Sequence, residues 1–345
     1  MLAGVVVGVI ALPLSIALAV AVGAPPASGL YTAAFAGAVA SIFGGSNFNI
    51  TGPTAALVPV LNHTALVYGV DALPMVGLMA GIALLIMSAL RFGKLMRYMP
   101  GPVIVGFTAG IALSIAFGQV NTLLAVTGTD PSLEHFYERL WDTTRHLDTV
   151  EWVTPALGLA SLAILALWPR MPRVSVVPGT LVVVVCATAL VWSLGIDTPT
   201  LAGRYGDLPT GIPAPSLGFL DGGLVFDLLP VAFSVAVLAS IESLLSAVVA
   251  DGLSGDGARH DGDRELRGQG IANLVSPVMG GIPATAAIAR TAAGIRAGGR
   301  SRLTGVFHSA TVIIATVALG GLAGHIPLTV LAAVLLIVAW NIAEI

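Results

Sequence analysis

The chain has 345 residues, of which 56% are hydrophobic and only 10% are charged, and its formal net charge is −3. Soluble domains carry about 25% charged residues, so this composition excludes an ordinary water-soluble protein. The small net charge indicates no nucleic-acid partner, and the single cysteine excludes a disulfide framework or a cysteine-based metal site.

Long apolar runs follow one another through most of the chain and predict an all-α polytopic membrane protein. The first run, residues 1–23, has no charge and no basic region before it, so we interpret it as a retained helix rather than a signal peptide. The predicted full spans are 3–23, 29–45, 73–91, 101–126, 150–168, 176–195, 224–250, 266–280, 303–323 and 327–343.

Two short segments, 53–68 and 283–297, carry related sequences. The first follows Gly44-Gly45 and begins ITGPTAA at 50–56; the second follows Gly280-Gly281 and begins IPATAA at 282–287. Because proline fits the first turn of a helix, each segment is predicted to be a half-helix that starts inside the membrane. Paired broken helices in two halves of a chain are a pointer to a transporter's binding site.

The charges of the connections predict the orientation. Cytoplasmic loops collect Lys and Arg, and the basic positions here are Arg91, Lys94, Arg97, Arg170, Arg173, Arg296, Arg300 and Arg302. All of them fall on one side if the N-terminus is cytoplasmic and the half-helices run in opposite directions. The sequence therefore predicts a multi-pass protein of the inner (plasma) membrane, with an external amphipathic helix in the acidic stretch 130–151.

The same pattern predicts the domain organisation. Residues 1–196 form a first repeat of seven segments, 197–223 an external Pro/Gly-rich connection, and 224–345 a second, inverted repeat. About twelve segments are expected in all.

Several runs resemble the SulP anion transporters, the solute carrier 26 family. These runs are PPASGLY at 25–31, TGPTA at 51–55, VADG at 249–252, RELRGQGIAN at 264–273 and GGIPAT at 280–285, with RT at 290–291 and GGR at 298–300. The resemblance covers the whole chain and implies fourteen segments in two inverted sevens, of which the last two are expected to be absent from these 345 residues. It also implies that a core domain moves like an elevator against a gate domain. It also implies a following STAS domain, absent from this chain, and a homodimer is among the expected assemblies.

The starts of the half-helices form the predicted substrate site. Free N–H groups and the positive end of the helix dipole suit an anion, and Thr54 and Thr285 add hydroxyl groups. The predicted substrate-binding residues are Pro53, Thr54, Ala55, Ala284, Thr285, Ala286, Leu14, Leu18 and Arg290. The last three come from the resemblance, which implies that Leu14 and Leu18 form an apolar wall and that Arg290 lies beside the anion.

Two of these residues also have an alternative interpretation. Thr54 is otherwise a small residue that lets helices approach closely, and Arg290 otherwise extends to the cytoplasmic surface with Arg296.

Glu242 is interpreted as the only carboxylate deep in a span, and an ionisable group there is a functional-site hypothesis. Ser246 lies one turn further on the same face. The resemblance implies an Asp and a Thr at these positions in sodium-coupled relatives, so Glu242 with Ser246 favours a proton over sodium as the coupling ion. The alternative is that Glu242 is a structural acid.

The charged segment 251–267 is interpreted as a solvated loop.

Together these observations predict a secondary transporter of small anions, with proton-coupled symport of a dicarboxylate first and bicarbonate or sulfate next. The alternatives are a nucleobase carrier of the same architecture and a voltage-responsive protein that does not transport. A nucleobase carrier is disfavoured because the second half-helix carries Arg290 instead of an acid. No nucleophile–base pair or metal cluster is recognisable, so neither enzymatic activity, nor a metal, nor a cofactor is expected.

Overall fold

The computed structural model describes residues 1–95, 101–130, 133, 136–171, 177–206, 208–209, 211–255, 257 and 259–343. Six helices in this part are long and apolar enough to cross a membrane, and four shorter helices are also apolar. The predicted helical membrane architecture is thus present. Arg97 and Arg173 of the basic connections lie outside the described residues.

The first part of the chain contributes α1 (Leu2–Ala21), α2 (Pro26–Tyr31), α3 (Gly37–Phe43), α4 (Val58–Tyr68), α5 (Ala72–Ala89), α6 (Phe92–Leu95), α7 (Gly101–Leu124), α8 (Phe136–Arg145), α9 (Val153–Leu167) and α10 (Gly179–Leu194). The second part contributes α11 (Leu201–Tyr205), α12 (Val225–Ser254), α13 (Gly262–Val278), α14 (Ile288–Arg296), α15 (Leu303–Ala323) and α16 (Leu328–Ala343). A π-helical turn at Thr32–Ala36 joins α2 to α3, and a 3₁₀ turn at Ala55–Leu57 leads into α4. The amphipathic helix expected in 130–151 is present as α8.

The helices pack as two groups. In one group, α5 lies against α13 and α12, α1 against α15 and α2, and α14 against α12. In the other, α16 lies against α7 and α9, and α9 against α10. Helix α1 contacts both α16 and α10, so the boundary between the groups runs along α1.

A two-stranded antiparallel sheet joins the segments that precede the two half-helices. Strand β1 (Thr51–Gly52) pairs with β2 (Thr285–Ala286), with Thr51 opposite Ala286. Extended backbone inside a membrane must find hydrogen-bond partners within the protein, and this pairing supplies them. A side chain at Gly52 would displace Arg290, because a Cβ atom at this position would collide with the guanidinium group.

This sheet corrects the predicted starts of both half-helices. The first begins with the 3₁₀ turn at Ala55, and the second begins at Ile288, five residues after the predicted start at 283. Pro53 and Pro283 therefore precede the helices instead of occupying their first turns. The reason is that residues 51–52 and 285–286 pair with each other in extended conformation, which a continuous helix from either proline would prevent.

The predicted solvated loop at 251–267 is also shorter than expected. Helix α12 continues to Ser254 and α13 begins at Gly262, where Asp261 caps it by accepting a hydrogen bond from the Arg264 N–H at 3.1 Å. Such N-caps satisfy backbone donors that lack a partner within the helix. Much of this charged segment is therefore helical.

Candidate functional site

A cavity of about 160 Å³ lies at the start of the first half-helix, between α1, α7, α12, α14 and α16. Six of the predicted site residues line it: Leu14, Leu18, Thr54, Ala55, Glu242 and Arg290. Residues missed by the sequence interpretation complete the wall, among them Thr108 of α7 and Asn341 of α16. Both helix groups therefore contribute to one cavity.

Thr54 joins the half-helix to Glu242. Its backbone is extended, with φ −131° and ψ 156°, so it occupies the N-cap position rather than the first turn. Its side-chain hydroxyl donates a hydrogen bond of 2.8 Å to Oε2 of Glu242. The first N–H groups of a helix lack partners within it, so Thr54 and the start of the half-helix place polar groups beside a carboxylate.

Arg290 lies on the first turn of α14 and is only 2% exposed. Its Nη2 donates to the carbonyl oxygen of Pro53, which ties the second half-helix to the approach of the first. Within the described part of the chain, its Nε and Nη1 have no hydrogen-bond partner. The alternative that Arg290 extends to the membrane surface is therefore wrong. A buried cation with two free donors can serve an anion or ordered water, since buried polar groups are normally satisfied.

Glu242 of α12 and Arg290 of α14 line the same cavity from two helices of the second part of the chain. Among the residues that the structure describes, no direct ion pair joins them. The acid and the base therefore flank the cavity instead of neutralising each other across a contact, and small polar molecules fit between such groups.

The other predicted residues do not line this cavity. Thr285 faces α12, where its hydroxyl donates to the Ala239 carbonyl at 3.1 Å and lies 2.7 Å from Oγ of Ser243. Ser246 is bonded to Asn49 Oδ1 at 3.0 Å and to Thr291 Oγ1 at 3.1 Å. Ala286 belongs to strand β2, and Pro53 and Ala284 are the residues next to the two strands.

Glu265, on the first turn of α13, is a buried acid with only 1% of its surface exposed, so the interpretation of 251–267 as a solvated loop is wrong at this residue. It accepts hydrogen bonds from the N–H groups of Gly45 and Ser46 at 2.8 and 2.9 Å. The side chains of Asn49 and Gln269 donate to its other oxygen at 2.8 and 3.0 Å. Four donors thus compensate its burial.

The signal for this network was present in the sequence as polar residues spaced by four. Glu265, Gln269 and Asn273 lie on one face of α13. Gln269 donates to Thr51 Oγ1 at 2.8 Å, and Asn273 exchanges two hydrogen bonds of 2.8 Å with the backbone of Ala284. This face of α13 therefore fixes both segments that lead into the half-helices.

We expect Glu265→Ala to lower the free energy of unfolding by at least about 3 kcal/mol, since several buried donors lose their acceptor at about 1–3 kcal/mol each. The loss of stability is measured as a lower unfolding temperature, with size-exclusion chromatography used to monitor the protein that remains folded after heating. Glu151→Ala is the matched control, because Glu151 is exposed. Equal unfolding temperatures for the two variants would show that the network adds nothing to stability.

The comparisons with known proteins agree with this architecture. The family model described as the sulfate permease family matches residues 1–345. The chain is 39% identical to the putative sulfate transporter YvdB of Bacillus subtilis and covers 64% of it, with all of this chain aligned. It is 30% identical to the bicarbonate transporter BicA of a Picosynechococcus strain, with 96% of this chain and 59% of that protein aligned. The chain thus spans about three fifths of the length of these relatives.

Among solved structures, the transmembrane domain of a cyanobacterial BicA superimposes with a TM-score of 0.89 at 29% identity, over 99% of this chain and 88% of that one. The structure of SLC26A9 gives a TM-score of 0.89 at 20% identity, over 99% of this chain and 57% of that one, which shows the fold alone. These matches confirm the predicted inverted-repeat membrane fold. The match along the entire chain shows that the protein belongs to the sulfate permease family.

Proposed function

We propose that this protein is a secondary active transporter of a small anion, which binds in the cavity beside Thr54, Glu242 and Arg290. The observation that carries the proposal is the buried Arg290 with two unpaired donors at this cavity. The unpaired guanidinium donors and the half-helix start both favour negative charge. Related proteins described as sulfate and bicarbonate transporters support the same substrate class.

The relatives favour a small oxyanion over a dicarboxylate. Proteins described as sulfate and bicarbonate transporters are among those that this chain resembles. We therefore place bicarbonate or sulfate before the dicarboxylate expected from the apolar wall of Leu14 and Leu18.

Charge balance gives Glu242 a role in coupling. With Glu242 ionised and Arg290 charged, the site is neutral, so an incoming anion adds an uncompensated negative charge inside the membrane. Protonation of Glu242 removes one negative charge, and transfer of uncompensated charge into a low-dielectric site is costly. Proton and anion are therefore loaded together.

Sodium coupling has less support in this arrangement. Ser246, the predicted second ligand, is turned away from the cavity toward Asn49 and Thr291. A sodium site built on Glu242 and Ser246 would require those hydrogen bonds to break.

The two helix groups supply the moving parts in this proposal. We assign residues 1–196 to one repeat and residues 224–345 to a second, inverted repeat. We also propose that one helix group slides against the other along the boundary formed by α1. The cavity meets α7 and α16 on one side and α12 and α14 on the other. Such motion would carry the anion across the membrane with the half-helices.

Uptake into proteoliposomes tests the function. Labelled bicarbonate, sulfate and a four-carbon dicarboxylate are offered with an inward proton gradient, an inward sodium gradient or neither. We expect proton-driven accumulation of an oxyanion, with the dicarboxylate at least about tenfold slower. Binding and uptake of none of the three would reject the anion-transport proposal, while sodium-driven uptake alone would reject proton coupling.

Cysteine labelling tests the orientation. In a Cys186→Ala background, we expect Lys94→Cys to react with a membrane-impermeant maleimide only from the cytoplasmic side, and Thr144→Cys only from outside. Both positions are exposed, and they lie in the basic and acidic connections that predict opposite sides. The reverse pattern would invert the assigned topology.

A further inference from the structure

An apolar cavity of about 550 Å³ lies between α1, α10 and α15, away from the anion cavity. Its wall contains Leu12, Ile16, Leu30, Val184, Thr316 and Leu319. Thr316 and Thr188 add hydroxyl groups, but each donates to a carbonyl of its own helix, at 2.8 and 2.7 Å. Apart from Trp192 and His325, the lining therefore offers no free polar side chain, and apolar cavities do not hold water.

This cavity opens sideways toward the bilayer. Val185 of α10 is 56% exposed, Leu322 of α15 is 66% exposed and Trp192 is 75% exposed, although all three line it. Because these helices are membrane spans, the surrounding solvent is lipid hydrocarbon. The cavity has the size and lining of a site for a flexible apolar ligand, and an acyl chain is the apolar material available there.

A second pocket adjoins the apolar cavity and carries two ionisable side chains, Asp197 and His325. It has a volume of about 370 Å³ and shares Trp192 and His325 with its neighbour, while Asp197 and Thr200 complete its wall. Trp is enriched at membrane surfaces, so Trp192 indicates that this pocket lies at the depth of the lipid headgroups. In the described part of the chain, no side-chain hydrogen bond or ion pair occupies Asp197 or His325.

The two connections that form this second pocket are joined by backbone hydrogen bonds. Leu201 N–H donates to the Ile326 carbonyl at 3.0 Å, and Leu328 N–H donates to the Pro199 carbonyl at 2.9 Å. Asp197 and His325 therefore sit on two hydrogen-bonded turns, one after α10 and one after α15. A pocket with an acid and an imidazole beside an apolar cavity matches a molecule with a polar head and an apolar tail.

The geometry points to a binding site for one membrane phospholipid with an ammonium headgroup, of the phosphatidylethanolamine type. The acyl chain fills the apolar cavity between α1, α10 and α15. The ammonium group donates to the Asp197 carboxylate, and the phosphate accepts from the ring N–H of His325. Asp197 disfavours a headgroup that carries only negative charge, such as phosphatidylglycerol. The lipid thus occupies a boundary between the two helix groups, since α10 belongs to one and α15 to the other.

Photolabelling tests this site without reference to transport. The protein is reconstituted in phosphatidylcholine nanodiscs with a trace of phosphatidylethanolamine that carries a diazirine in its acyl chain. We expect the cross-linked peptides to come from α10 and α15, and unlabelled phosphatidylethanolamine to compete about fivefold better than phosphatidylglycerol, as expected for a pair of exposed charges.

Two alanines of α15 provide matched variants. Ala315 lines the cavity, whereas Ala318 is exposed on the same helix and does not. We expect Ala315→Trp to reduce labelling at least about fivefold by filling the space, and Ala318→Trp to leave it unchanged. Ala189→Phe fills the cavity from α10 and replaces Ala315→Trp if that variant does not yield folded protein. Asp197→Asn should remove the preference for phosphatidylethanolamine.

Each alternative result overturns part of the inference. Labels spread over all lipid-facing helices, and unaffected by the cavity-filling variants, would identify ordinary boundary lipid and reject the site. Labels confined to the cavity, but with equal competition by both phospholipids, would reject the headgroup assignment.

Discussion

Replacing Glu242 with glutamine is expected to abolish proton-driven accumulation of the anion while exchange of anion for anion persists. Glutamine keeps an oxygen that can accept the 2.8 Å hydrogen bond from Thr54, but it remains neutral and cannot load or release a proton. Because the neutral side chain resembles protonated Glu242, the site stays competent to bind the anion. Uptake with and without an imposed proton gradient, in the same proteoliposomes, measures the two activities separately.

A second carboxylate serves as the control for this experiment. Glu151→Gln makes the same chemical change at an exposed position and should leave both activities intact. Glu242→Asp retains a titratable group on a shorter side chain and should restore part of the accumulation. Undiminished proton-driven accumulation by Glu242→Gln would return Glu242 to a structural role.

Replacing Arg290 with methionine is expected to weaken anion binding by at least about 100-fold, or about 2.7 kcal/mol. Methionine retains much of the apolar volume but removes the buried positive charge and the guanidinium donors from a residue that lines the anion cavity. Losing one partner of a buried charge pair typically costs about 2–5 kcal/mol. Binding measured by calorimetry in detergent gives the affinity independently of the transport cycle.

Stability must be separated from binding in this variant, since Arg290→Met also leaves Glu242 without its compensating charge. The double variant Arg290→Met/Glu242→Gln removes both charges, and we expect it to recover thermal stability but not anion affinity. Arg296→Met is the matched control, because Arg296 is exposed on the same half-helix. Wild-type affinity in the stable double variant would place the anion site elsewhere.

The membrane spans were predictable because their signal is local. A helix in lipid must satisfy its backbone internally and be apolar over its own length, so hydrophobicity along the chain locates it. The short segments at 53–68 and 283–297 were recognised by the same means, together with their glycine and proline residues. Glu242 was recognised because an acid inside an apolar run is conspicuous wherever its side chain points.

Only some of the residues that line the cavity could be predicted. Leu14, Leu18, Thr54, Ala55, Glu242 and Arg290 meet as the sequence and its family resemblance predicted. Thr285 and Ser246 do not, although the sequence repeat makes Thr285 equivalent to Thr54. The two threonines differ because Thr54 is the extended N-cap of a helix, whereas Thr285 lies in a strand and faces Ser243.

Local sequence patterns were therefore enough to predict the class of protein, the positions of its spans and the residue types at its centre. The starts of the half-helices depend on long-range contacts, because the pairing of Thr51–Gly52 with Thr285–Ala286 joins segments more than 230 residues apart. Tertiary structure also decided that Glu265 is buried rather than solvated, since its four donors come from a distant loop and from its own helix. Hydrophobicity is a property of each segment, but side-chain direction and hydrogen-bond partners depend on contacts that form only when the two halves pack together.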